Sequence, residues 1–123
     1  MKIRVNQLVD STAYCSTHFG DICVKWIGDD PELGETYDAE VEISDVLVWG
    51  KNVMPSNCDK CTITYSNSQV SICGLLESID NDGYSILRMG EHIIPFVVDD
   101  NTLETGKMIK INAKSVSVYP VYY

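Results

Sequence analysis

Residues 36–44 alternate without a slip. Tyr37, Ala39, Val41 and Ile43 fall on one side, and Asp38, Glu40, Glu42 and Ser44 on the other. A period of two belongs to an extended strand with one apolar and one hydrated face; on a helix the same residues would scatter around the axis. The chain is therefore committed to a sheet that packs one side and turns an acidic row to solvent. The pattern breaks at Asp45 and resumes as Val46-Leu47-Val48-Trp49, which predicts a bulge or bend that re-aims the strand.

Strand signals recur along the chain. Asp21–Ile27 alternates, with Ile22, Val24 and Trp26 on one face, and Thr62–Tyr65 is a short β-branched run. Turn-rich segments at 28–34 and 50–60 separate them. Val70–Ile79 is a long apolar strand whose Gly74 predicts a bulge or sharp bend. Asp80-Asn81-Asp82-Gly83 is a hairpin signal, because glycine supplies the positive φ of tight turns. Tyr84–Met89 returns from it, Gly90-Glu91-His92 turns again, and Ile93–Val98 follows. Pro95 lacks a donor, so its strand lies at an edge or pairs there on one side only. Asp99–Gly106 is expected to form one helical turn, capped by Asn101 or Thr102 and ended by Gly106. Met108–Asn112 and Ser115–Tyr119 are expected as a final strand pair.

These signals give eight or nine strands, at most one or two short helices, and links too short for parallel crossovers. The predicted class is all-β and mainly antiparallel, a small barrel or sandwich in one domain spanning 1–123. A bent glycine-containing strand, a hairpin, a short helical turn and two closing strands resemble an OB-like barrel in pattern, without a specific motif. The sequence has no internal repeat. A chain of 123 residues with 45 % hydrophobic content is long enough to bury a core without staples.

No apolar run approaches the roughly 18 residues of a membrane span. The first residues, MKIRVNQLVDSTAY, lack the continuous apolar stretch of a signal peptide. Cys15, Cys23, Cys58, Cys61 and Cys73 cannot all pair within one chain, so free thiols and a cytoplasmic location are expected, with no cofactor.

Chemistry-bearing constellations are sparse. Cys15-x2-His18 and Cys58-x2-Cys61 together offer three thiolates and an imidazole, a ligand set for tetrahedral zinc, and form one alternative reading. The Asp80–Gly83 run lacks the acid at 78 and the glutamate at 89 that a calcium loop needs. A hydrolase would have to unite His92 with Asp99 or Asp100. No catalytic residue is assigned, and the chain reads as non-enzymatic.

Charge is the remaining clue. Residues 21–45 hold nine acids against Lys25, and residues 77–104 hold seven against Arg88, within a chain of net charge -9. Such a field repels nucleic acid and attracts basic proteins. Alternate strand residues stand about 6.8 Å apart on one face, so each neighbouring pair among Asp38, Glu40 and Glu42 costs only about 0.6 kcal/mol in water. The ladder is thus tolerable to the fold and available to a partner's Arg and Lys, with Asp29, Asp30 and Asp45 as rim and Trp26, Trp49 or Tyr37 as aromatic contacts. The leading expectation is an acidic protein-interaction module, in its concrete form an inhibitor or immunity-type protein that covers a basic toxin nuclease. The rival is an OB-like nucleic-acid module using Lys107, Lys110, Lys114, Tyr119, Tyr122 and Tyr123.

Overall fold

The computed structural model describes residues 1–99 and 103–122. Expectations that fall on Asp100, Asn101, Thr102 and Tyr123 lie outside the described residues. The described chain is all strand and turn, without a helix. In chain order the strands are β1 (Lys2–Val9), β2 (Thr12–Thr17), β3 (Gly20–Trp26), β4 (Thr36–Ile43), β5 (Val46–Leu47) and β6 (Val53–Pro55). They continue as β7 (Thr62–Ser66), β8 (Gln69–Ile79), β9 (Tyr84–Met89), β10 (His92–Val98), β11 (Met108–Ala113) and β12 (Val116–Pro120).

Five strands close into a barrel in the order β1-β2-β3-β12-β4. A three-strand antiparallel meander is closed by β4 beside β1 and by β12, which runs parallel to β3 and antiparallel to β4. The other seven strands form a mixed sheet, β5-β10-β9-β8-β11-β6, with β7 paired to β8. Its neighbour pattern repeats that of the barrel although the sequence does not. The meander is β8-β9-β10, β11 lies beside β8, and β5 runs parallel to β10 while β6 runs antiparallel to β11. β5 and β6 are the end strands of this sheet's path.

The predicted class is observed: an all-β chain with a small barrel. Several details differ. The proposed final pair does not pair, since β11 belongs to the mixed sheet and β12 to the barrel. The two parallel pairings arise because their strands are distant in sequence, so the short-link argument does not govern them. The helical turn is not found in residues 103–106, which are coil and turn.

Gly74 is not a bulge; the register slips between Leu76 and Ser78 instead. Gly74 is glycine because a Cβ there would lie 2.7 Å from Met89 Sδ and 2.8 Å from Leu87 Cγ. Gly83 does behave as the hairpin demands, with φ +84°, and its backbone sits so close to Val98 that a Cβ would meet the carbonyl oxygen at 1.9 Å. Pro95 faces Ile86 of β9, while β5 reaches β10 only at Val97 and Val98, so Pro95 is ladder-paired on one side as its missing donor requires.

Both sheets feed one continuous apolar core. It takes Ile3, Ile22, Val41 and Val118 from the barrel and Ile72, Leu87, Phe96 and Ile111 from the mixed sheet. The chain passes between the sheets twice: from β4 to β5 through Ser44 and Asp45, and from β11 to β12 through Lys114 and Ser115. On one side of this junction β4 and β10 lie against each other without ladder pairing. That seam positions the site.

Candidate functional site

The apolar residues of β4 (Ala39, Val41, Ile43) turn into the barrel, so Asp38, Glu40 and Glu42 emerge on the outer face, as their period requires. Their fates differ. Asp38 pairs with Lys2 across the β1–β4 ladder, with Nζ to Oδ1 at 2.8 Å. The hydrogen bond from Lys2 holds the Asp38 carboxyl below its ordinary range. Glu40 and Glu42 are exposed and line a groove of about 380 Å³ between β4 and β10. Glu91, from the β9–β10 turn, enters the same groove.

The remaining walls are mixed. His92, Ile93 and Pro95 come from β10, and Tyr119 stands opposite Glu40 on β12. The terminal amine of Met1 donates to Ala39 O at 2.9 Å on the groove floor. No lysine or arginine side chain lines the groove. Among the described residues the side-chain ion pairs are Lys2–Asp38 and Arg88–Glu77, so Glu40, Glu42 and Glu91 face solvent without a cationic side chain. Chemically, the groove can accept ammonium or guanidinium donors at its carboxylates and bury an aliphatic stem against Ile93, Pro95 and Tyr119.

The other predicted contributors sit elsewhere. Asp29 and Asp30 are exposed in the β3–β4 loop, where Asp29 O accepts Trp26 Nε1 at 2.9 Å. Asp45 accepts the backbone N–H groups of Lys114 at 2.9 Å and Ser115 at 2.7 Å, so its carboxylate is engaged within the fold. Trp26 cannot serve as an aromatic anchor: it is 4 % exposed and packs edge-on against Tyr37. Tyr37 is occupied as well, its hydroxyl accepting Glu32 N at 2.8 Å. Trp49 lines a different cavity, with Leu103 and Met108. Glu91, His92, Ile93 and Tyr119 are additions to the site. Sequence periodicity selects the β4 acids, but it gives no sign that β10 and β12 lie beside them.

The zinc reading is not supported by the geometry. Cys15 lies inside the barrel, where burial pushes its thiol up to about 12, with a smaller contribution from Cys23. Burial also raises the Cys58 thiol, with a further contribution from its neighbour Cys73. His18 and Cys61 share the lining of a separate cavity, and the Cys61 thiol donates to Arg88 O at 3.7 Å. Among the described residues no three His, Cys, Asp or Glu side chains converge as metal ligands.

Of the two hydrolase pairings, His92 with Asp99 is not assembled, and Asp100 lies outside the described residues. His92 begins β10 and Asp99 follows its other end, roughly 20 Å away along an extended strand. Lys107 and Lys110 go with the mixed sheet, Lys114 with the turn after it, and Tyr119 with the barrel, so the predicted basic aromatic platform is divided between the sheets. Comparison with protein-family models, curated proteins and solved structures finds no match to this chain.

Proposed function

We propose that this chain is an acidic protein-interaction module that engages a basic protein through the β4–β10 groove. The observation that carries the reading is the convergence of Glu40, Glu42 and Glu91 from two sheets onto one groove of mixed walls without a lysine or arginine among its lining residues. Glu40 and Glu42 stand on a paired strand and Glu91 on a tight turn, so their backbones are ordered in advance and mainly side-chain freedom is lost when they receive a partner's Arg or Lys. Each exposed pair is worth about 0.2–1 kcal/mol. The acids therefore act chiefly on encounter rate and register, while the apolar wall supplies contact area. In its concrete form the module is an inhibitor of immunity type, covering the basic substrate site of a toxic nuclease in the cytoplasm.

The test is capture of partners from native lysate at low and moderate salt, followed by nuclease assays on the retained protein. Wild-type chain is expected to retain a basic nuclease and inhibit it. Glu40→Gln/Glu42→Gln/Glu91→Gln is expected to lose both properties. Retention of no basic protein, or equal retention and inhibition by the triple variant, refutes the proposal.

A further inference from the structure

The same corner of the molecule carries an apolar surface that the fold does not use. Nine large apolar side chains are exposed among the described residues, and five of them (Val46, Val48, Tyr84, Ile93 and Val97) belong to β5, β9, β10 and the turn after β5. The strand register brings them together. Val97 stands opposite Val46 on one side and Tyr84 on the other, so three apolar side chains lie abreast. Pro95 beside Ile86 and Ile93 beside Arg88 extend the strip along the same face. The alternate residues Leu47, Ile94, Phe96, Val98, Leu87 and Met89 are all buried, so the strip is the outer side of the sheet.

A strand that is apolar on both faces, as His92–Val98 is, belongs under cover. Here one face is only partly covered: Val46 is 66 % exposed and Ile93 47 %. Contiguous apolar surface with a polar rim marks an interaction site.

The charges around the strip choose the occupant. At one end Ile93 and Pro95 run into the groove of Glu40, Glu42 and Glu91. At the other end Asp82 and Asp99, both exposed, flank Tyr84 and Val98. Arg88 is the base on the strip, and its guanidinium is held by Glu77 at 2.6 and 3.0 Å. A second copy of a chain with net charge -9 would bring acids onto acids. We propose that the β5–β10–β9 face docks a basic amphipathic segment of a partner protein, with its apolar side chains on Val46, Tyr84 and Val97 and its cations at the acidic ends. This inference rests on the acidic-groove reading and adds the kind of segment the partner presents.

The experiment titrates the full chain, isotope-labelled, with two synthetic peptides of equal length and charge. One alternates Lys and Val, and the other alternates Lys and Ser. The Lys/Val peptide is expected to bind about tenfold tighter and to shift the methyl resonances of Val46, Ile93 and Val97. Val46→Ser/Val97→Ser should remove that advantage and leave the Lys/Ser affinity unchanged. Tyr84→Thr, which leaves β5 intact, should weaken the Lys/Val peptide in the same direction.

Equal affinities for the two peptides, both reduced by Glu40→Gln/Glu42→Gln/Glu91→Gln, overturn the docking face and leave the groove standing. Binding of neither peptide overturns both. Lys/Val shifts that map elsewhere, or persist at full affinity in the serine variant, overturn the docking face. So does a concentration-dependent dimer that Val46→Ser/Val97→Ser abolishes, because the occupant is then a second copy.

Discussion

Asp45 ties together the two points where the chain crosses between its sheets. Its carboxylate accepts Lys114 N at 2.9 Å and Ser115 N at 2.7 Å, 69 and 70 residues further along. Beside it Ser44 N donates to Ser115 O at 2.8 Å, and the Ser44 and Ser117 hydroxyls lie 3.0 Å apart. Asp45→Ala removes two hydrogen bonds to an ionised acceptor, each worth about 1.5–3 kcal/mol net. Water reaches this corner and can solvate the freed amides, so the total falls to or below twice the lower end, about 2–3 kcal/mol. For a chain of this length that is a drop of about 8–12 °C in Tm, at about 4 °C per kcal/mol. Asp45→Asn keeps one acceptor oxygen and should lose about half as much.

The assay is thermal unfolding followed by circular dichroism, joined to amide exchange at residues 114 and 115, which should accelerate selectively. Well below Tm, Asp45→Ala should bind the Lys/Ser peptide as wild type does, since its oxygens point at backbone amides. A Tm within about 2 °C of wild type, below what one such hydrogen bond is worth, refutes the clasp. Unchanged Tm with lost binding would make Asp45 a contact residue instead.

Further outcomes are expected from the core and the thiols. Gly74→Ala forces a methyl group against Met89 and Leu87, both fully buried, and should cost about 1–3 kcal/mol in urea unfolding; a neutral result means those side chains relax freely. Phe96→Ala should cost about 3–5 kcal/mol by the same measurement. The folded state keeps Cys15 protonated to about pH 12, whereas an unfolded thiol ionises near 8.5. The unfolded state therefore binds fewer protons in that window, and stability should fall between about pH 9 and 12. Cys15→Ala should flatten that slope; an unchanged slope assigns the alkaline loss to another group. Asp38→Asn should leave Lys/Ser peptide affinity near wild type, because Lys2 already occupies that carboxylate, while Glu40→Gln should reduce it.

What the sequence discloses follows from locality. The 36–43 strand, the hairpin through Gly83 and the strand before Gly90 are readable because alternation and turn chemistry are nearest-neighbour properties. The β1–β2 hairpin is hidden by its own bulge. Ile3 and Val5 point inward, the register slips between Val5 and Gln7, and the alternation changes phase before Leu8. β6 is three residues long and ends in a proline, so it reads as loop. The two parallel pairings are long-range, and no local pattern marks them. The site divides in the same way: Glu40 and Glu42 are visible in their period, whereas Glu91 looks like an ordinary turn residue until β10 is placed against β4. Trp26 reads as a surface aromatic only while its indole N–H has no partner; Asp29 O supplies one, and the ring goes inside.

If Glu40, Glu42 and Glu91 act together as a receptor for cationic side chains, their charges must set the affinity of a cationic peptide. The most direct test is the affinity of the Lys/Ser peptide, measured by calorimetry for wild type and for Glu40→Gln/Glu42→Gln/Glu91→Gln across a range of ionic strength. Wild-type binding should weaken steeply, by about tenfold, as salt rises from about 0.02 to 0.2 M, and the triple variant should bind more weakly with a shallower salt dependence. Superimposable curves for the two proteins contradict this.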